Sequence, residues 1–169
     1  MRTPSFRHMG GKARLRKWLV SHFPPRCKTY IELFAGKGNV FFEAVQMVDA
    51  AHWLLNDIDN SFLMALKRID VSTLPVDINK EEFLVYGSQM SDVAKVIEPR
   101  ISFMGKGYLY GYSGTCGSHK GYNGKLYAAI CLRAKELLQN ARLAQGSFEK
   151  ISIGAVDFVY ADPPYLGTK

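Results

Sequence analysis

Cysteine is scarce in this chain of 169 residues, with only Cys27, Cys116 and Cys131 present. An odd number without close-paired spacing excludes a secreted disulfide framework and a structural zinc site, so reduced intracellular thiols and no metal are the expectation. No stretch approaches the roughly 20 apolar residues that span a bilayer, and an apolar signal core is missing from the first residues, which predicts a cytoplasmic protein. Acidic side chains are absent from the first thirty positions, which hold Arg2, Arg7, Lys12, Arg14, Arg16, Lys17, Arg26 and Lys28. The formal net charge of +7 is therefore unevenly spread. Such a leading segment suits salt-sensitive contact with nucleic-acid phosphates. Leu15, Trp18, Leu19 and Phe23 also trace an apolar stripe through it, as in an amphipathic surface helix.

What is present is enough apolar material, 47% of residues, for one domain with a real core. Its most informative stretch is Asp162-Pro163-Pro164-Tyr165, reached from the apolar run Val156–Ala161. A short strand here delivers a carboxylate, two prolines and an aromatic ring to its C-terminal end, where open α/β sheets place their ligands. Each proline has a fixed φ and no N–H, so nearby carbonyls are held in place. A carboxylate oxygen and one such carbonyl can accept both hydrogens of a planar amino group, and Tyr165 offers a face for a heterocycle to stack on. Taken alone, the same four residues also read as a strand terminator.

A second signal is Tyr30-Ile31-Glu32-Leu33-Phe34-Ala35-Gly36-Lys37-Gly38, followed by the apolar stretch Val40–Val48. It reads as a buried strand, a tight glycine turn and a packed helix. Glu32 near the strand end favours a ligand bearing an ammonium group over a pyrophosphate. A second strand in Trp53–Asn56 ends at Asp57, about 20 residues beyond the turn, where these folds hydrogen-bond a ribose diol. Asp59, just before the periodic stretch Phe62–Ile69, reads as a helix cap.

In these motifs the chain resembles the Dam-like adenine-specific DNA methyltransferases, including their bacteriophage members. Gly10-Gly11-Lys12, the Phe34-x-Gly36-x-Gly38 turn preceded by Glu32, the second-strand Asp57 and the Asp162-Pro163-Pro164-Tyr165 tetrad occur in that family's order. The resemblance implies a mostly parallel Rossmann-like α/β sheet with flanking helices and S-adenosylmethionine as cofactor. It implies methylation of the exocyclic amine of an adenine flipped out of double-stranded DNA, in a restriction-modification, phage-protection or replication-marking setting. By the same resemblance Gly10, Gly11, Lys12, Glu32, Phe34, Gly36, Gly38 and Asp57 line the cofactor pocket. Asp162 and the Pro163 carbonyl, followed by Pro164, hold the amine, while Tyr165 stacks on the base. Ser147 and Phe148 fall where the family often has an aspartate and a phenylalanine beside the cofactor. His8 replaces a common tryptophan, and Leu33 a common proline.

The resemblance divides the chain into a cofactor-binding core, 1–73 and 135–169, and a looser segment, 74–134. Within that segment Pro75–Pro99 reads as a connecting stretch of mixed charge. The glycine- and tyrosine-rich run beyond Ile101 reads as a DNA-contacting insertion, with charge from Arg100, Lys106, His119, Lys120 and Lys125 and with Asn123 able to pair with an adenine edge. A flexible surface loop with locally packed tyrosines fits the same composition. Leu126–Leu143 has helical periodicity, with Leu132, Leu137 and Leu138 suited to the buried side. Family members extend well past the tetrad, which predicts that a missing C-terminal segment or a partner chain covers the edge of the sheet. Two other readings stay open: a catalytically inactive DNA- or cofactor-binding remnant, and methylation of RNA or protein. Glutamine-directed relatives usually begin the corner with asparagine, so Asp162 counts against a protein substrate.

Overall fold

The computed structural model describes residues 3–8, 10–105, 107–112, 122–155 and 157–164. Four strands form one sheet in the order β3-β2-β1-β4, and every pairing is parallel. They are β1 (Arg26–Glu32), β2 (Asp49–Asp57), β3 (Ala141–Gln145) and β4 (Asp157–Tyr160). Parallel neighbours need crossover connections, and helices supply them. α1 (Arg16–Val20) precedes β1, α2 (Phe41–Ala44) links β1 to β2, and α3 (Ser61–Arg68), α4 (Lys80–Gly87), α5 (Asp92–Ile101) and α6 (Gly124–Leu138) lie between β2 and β3. This is the expected α/β sheet with flanking helices.

Side-chain alternation along a strand explains where the core sits. Tyr30 pairs in register with Trp53 and with Phe158, so the three rings share a face. The Tyr30 and Trp53 rings are 4.9 Å apart, and Phe41 of α2 meets Trp53 edge-on at 5.6 Å. Phe6 extends this cluster through Phe42 and Phe62 to Tyr127 of α6. The N-terminal segment is thus anchored in the core through Phe6.

Several expected elements take a different form. The helix predicted over Leu126–Leu143 stops at Leu138, and Ala141–Gln145 pairs with β2 as a strand instead. Its buried side is Tyr127, Cys131, Ala134 and Leu138, whereas Leu132 is exposed. The stretch Pro75–Pro99 is not a plain connector, because it holds α4, with an Asn79–Glu82 capping box, and most of α5, with Pro99 inside the helix. α1 has five residues and leaves Leu15 and Trp18 exposed, so the apolar stripe read there is only partly buried.

Tyr108 and Tyr112, beyond Ile101, pack inward. Tyr108 donates to the Ala94 carbonyl at 2.6 Å, Tyr112 donates to the Ile78 carbonyl, and both rings pack on Phe83. Local packing, the second of the two readings of that composition, holds for these two. Asn123 caps α6, its Oδ1 accepting from the Leu126 N–H at 3.0 Å. Lys106, His119 and Lys120 lie outside the described residues.

Candidate active site

Parallel pairing puts the C-terminal ends of all four strands on one side, and each delivers residues to a single cavity of about 600 Å³. From β1 come Glu32, Phe34 and Gly36, and from β2 come Asp57 and Ile58. β3 runs into Gly146, Ser147 and Phe148, and β4 into Asp162, Pro163 and Pro164. His8, Gly10, Gly11 and Lys12 of the N-terminal segment complete the lining. Gly38 stands behind the wall, and Tyr165 lies outside the described residues.

The β1 turn is shaped by its glycines. Gly36 and Gly38 have φ of 52° and 73°, a region that side chains with a Cβ rarely adopt. A Cβ on Gly36 would come within 3.2 Å of the His8 ring, so only glycine lets His8 lie against the turn. Asp57 fixes the same turn from the neighbouring strand: Oδ2 accepts from the Gly36 N–H at 2.7 Å and Oδ1 from the Asp59 N–H at 3.0 Å. Each carboxylate oxygen can accept more than one hydrogen bond, so both uses leave capacity for a ligand. Asp59 accepts from the Ser61 N–H at the start of α3, but the N-cap itself is Asn60, one position beyond the cap read from the sequence.

Glu32 is the most unusual group in the cavity. It is 2% exposed, and its Oε2 accepts from the Tyr30 hydroxyl at 3.1 Å. Burial pushes its carboxyl up to about 8; the Tyr30 hydrogen bond opposes this, while Asp162 and Asp57 add to it. An arriving ammonium group would favour the ionised form. His8 moves the other way, its imidazole held below the ordinary value by desolvation and by Lys37, with Asp57 opposing. Desolvation likewise lowers Lys37, whose Nζ sits 4.8 Å from the centre of the Phe62 ring.

On the opposite wall β4 extends parallel to β1, with Glu32 in register with Tyr160. The Leu33 N–H donates to the Tyr160 carbonyl at 3.1 Å, so the glycine turn and the proline corner leave the sheet side by side. Lys12 Nζ forms an ion pair with Asp162 Oδ2 at 2.6 Å, and the Tyr160 hydroxyl is 3.5 Å from the same oxygen. Phe148 packs against Phe34 at 5.3 Å. Ser147 is turned toward Glu149: its Oγ accepts from the Glu149 N–H and donates to the Glu149 carboxylate.

Three asparagines that the motifs did not single out hold these parts in place. Asn56 Nδ2 donates to the carbonyls of Leu33 and Gly146, which ties β1 and β3 across β2. Asn60 Nδ2 donates to those of Leu55 and Ala144. Asn39 pairs with Phe6, its Oδ1 accepting from the N–H at 2.9 Å and its Nδ2 donating to the carbonyl at 2.8 Å. Buried polar side chains between strand ends were the available signal, but their partners lie far away in sequence.

A second, larger hollow of about 730 Å³ adjoins the first and shares His8, Gly11, Lys12 and Asn39 with it; Arg7 and Arg14 are added to its lining. Other basic residues of the leading segment are committed elsewhere. Arg16 pairs with Glu43 at 3.2 Å and donates to the Thr3 and Pro4 carbonyls, and Arg26 pairs with Asp49. Among the described residues no group of three or more His, Cys, Asp or Glu could hold a metal ion, and no helix is long and apolar enough to cross a membrane.

A parallel α/β sheet with a glycine turn and a proline corner meeting at one cavity defines a Rossmann-like methyltransferase fold. Residues 8–91 match the family of D12 class N6 adenine-specific DNA methyltransferases, and the chain belongs to that family. The match covers the leading glycines, the glycine turn, Glu32 and Asp57, and stops before β3 and the corner. No curated protein matches the chain. Methylation of adenine in DNA is the activity that family membership supports.

Proposed function

We propose that the chain transfers a methyl group from S-adenosylmethionine to the exocyclic amine of an adenine flipped out of duplex DNA. The observation that carries this reading is the shared cavity, in which the glycine turn of β1 and the corner after β4 stand side by side. The donor set suits the cofactor. Glu32 and Asp57 are acceptors for an ammonium and a diol, Phe34, Ile58 and Phe148 are apolar surface for a heterocycle, and Gly36 adds no side chain of its own to the floor. When bound, the sulfonium supplies an activated methyl group.

The rest of the chemistry belongs to the protein. An adenine amine has its lone pair delocalised into the ring and attacks carbon poorly. Asp162 and the Pro163 carbonyl accept its two hydrogens and draw the nitrogen toward tetrahedral geometry, which localises the pair. With the cofactor held by Glu32, Asp57 and Phe34, its methyl carbon would accept that pair while the C–S electrons stayed with sulfur, and the surplus proton would leave the nitrogen for solvent. No covalent enzyme intermediate is needed, and the rate comes from alignment and from stabilising positive charge on nitrogen beside Asp162. Tyr165, two residues beyond Pro163, supplies the stacking face that offsets the few kcal/mol of unstacking. Arg7 and Arg14, which line the adjoining hollow, are the cations suited to the DNA backbone at the mouth of the site, whereas Lys12 is paired with Asp162.

The test is labelled methyl transfer to unmethylated duplex DNA by the purified chain, with Asp162→Ala as control. Incorporation into adenine that is lost in the control supports the reading. Transfer to RNA or protein alone would overturn the substrate, and no transfer with DNA binding retained would mark an inactive binding protein.

A further inference from the structure

We propose that Asn39 is a positioning residue for the cofactor pocket, fixing the register of the N-terminal strap that carries His8, Gly10, Gly11 and Lys12 over the glycine turn. This deepens the reading above and rests on it. Asn39 directly follows Gly36-Lys37-Gly38 and is 5% exposed. Its carboxamide meets the N–H and the carbonyl of Phe6 at 2.9 and 2.8 Å, the pattern by which one strand residue pairs with another. The other restraints on the strap are less selective. The Phe6 ring sits among Phe42, Phe62 and Tyr127, and apolar contact is non-directional. Arg16 grips only the carbonyls of Thr3 and Pro4, upstream of Phe6.

Register matters because the strap is short between latch and site. Two residues beyond Phe6, His8 packs on Gly36, and six beyond, Lys12 reaches Asp162. A slip of one residue would carry both off their partners and would move Gly11, where a Cβ would already lie 3.4 Å from Asn39 Nδ2 and 3.0 Å from the His8 carbonyl. The turn that forms the floor of the pocket thus also holds its roof. Only an amide serves here, since a carboxylate cannot donate to the Phe6 carbonyl and alanine can do neither.

The experiment compares the full chain with Asn39→Ala and Asn39→Asp, measuring S-adenosylhomocysteine binding by calorimetry and amide hydrogen exchange residue by residue. Loss of one or two buried hydrogen bonds should weaken binding by roughly tenfold or more. Exchange should quicken for the strap amides between residues 6 and 12, while β1, β2 and α3 keep their protection. Wild-type affinity in a variant whose strap exchanges freely would overturn the proposal, and so would a rise in exchange spread evenly over the molecule. If neither variant folds, the wild-type chain decides: the Phe6 amide must exchange more slowly with the ligand than without it, and no change overturns the latch. Failure of the wild-type chain to bind S-adenosylhomocysteine would instead sink the cofactor reading, leaving the exchange comparison to judge whether Asn39 holds the strap.

Discussion

The Lys12 ammonium lies 2.6 Å from Oδ2 of Asp162, so the carboxylate proposed to hold the target amine already holds a cation. Both side chains are mostly buried, 18% and 24% exposed, which makes the pair worth more than a surface bridge. Asp162→Asn keeps the shape and removes the charge. It should cost about 1 kcal/mol of stability, seen as a lower denaturation midpoint. Single-turnover methylation should fall by at least roughly 100-fold, with S-adenosylhomocysteine affinity changing far less. Equal losses in binding and turnover would show that Asp162 serves the cofactor rather than the amine.

Glu32 sets a pH dependence whose sign can be worked out. Its carboxyl is raised from 4.5 to about 8 in the folded chain, so between those values the native state holds a proton that the unfolded state has lost. Stability therefore falls as pH rises through that window and levels off above about 8. Glu32→Gln removes the titration and should be more stable than wild type at pH 9 relative to the same comparison at pH 5, by roughly 1–4 kcal/mol. Denaturant titrations of both proteins at the two pH values measure it. A wild-type curve parallel to that of the variant would contradict the buried-acid assignment.

Ligand binding should report the same proton. A ligand ammonium group favours ionised Glu32, so binding below about pH 8 releases a proton, and affinity rises with pH until it levels off above about 8. Calorimetry in buffers of differing ionisation enthalpy detects the release. Glu32→Gln should abolish that component.

Gly38 carries a different kind of constraint. Its φ of 73° is unfavourable for alanine, and a Cβ there would meet Phe42 at 3.1 Å and Leu63 at 3.2 Å. Gly38→Ala should destabilise the chain by about 1–3 kcal/mol through strain and crowding behind the cavity. Equilibrium unfolding tests this directly.

DNA attachment should be salt-sensitive, and part of that sensitivity should map to exposed cations beside the site. Arg14 lines the second hollow and is exposed, as is Lys17 three residues on, whereas Arg16 and Arg26 are held in ion pairs. The double substitution Arg14→Ala, Lys17→Ala should lower the slope of log affinity against log salt by roughly 2 without changing preference among DNA sequences. An unchanged slope would place the phosphates elsewhere.

The sequence was most legible where apolar runs end in residues of restricted backbone. β1, β2 and β4 each carry an apolar run in their C-terminal part, followed by a glycine turn, an aspartate or a proline corner, and the groups at their ends meet in one cavity. β3 was not legible. Its residues, Ala141-Arg142-Leu143-Ala144-Gln145, favour helix on their own, and pairing with β2 overrides that preference. Leu132 fitted a helical stripe but faces solvent, because the buried face of α6 is set by what packs on it. Asn56 read only as the end of a strand and Asn39 and Asn60 drew no reading, because their roles emerge only from carbonyls and N–H groups up to 90 positions away.

The order β3-β2-β1-β4 also governs when the molecule becomes competent. None of these parallel neighbours is joined by a hairpin, so each alignment closes a long loop before contacts repay the lost entropy. β4 comes last in sequence yet must dock beside β1, a non-local search of the slow kind. During synthesis the cavity is therefore completed only after β4 has been made and seated beside β1, because its corner supplies Asp162 and Pro163 to the lining.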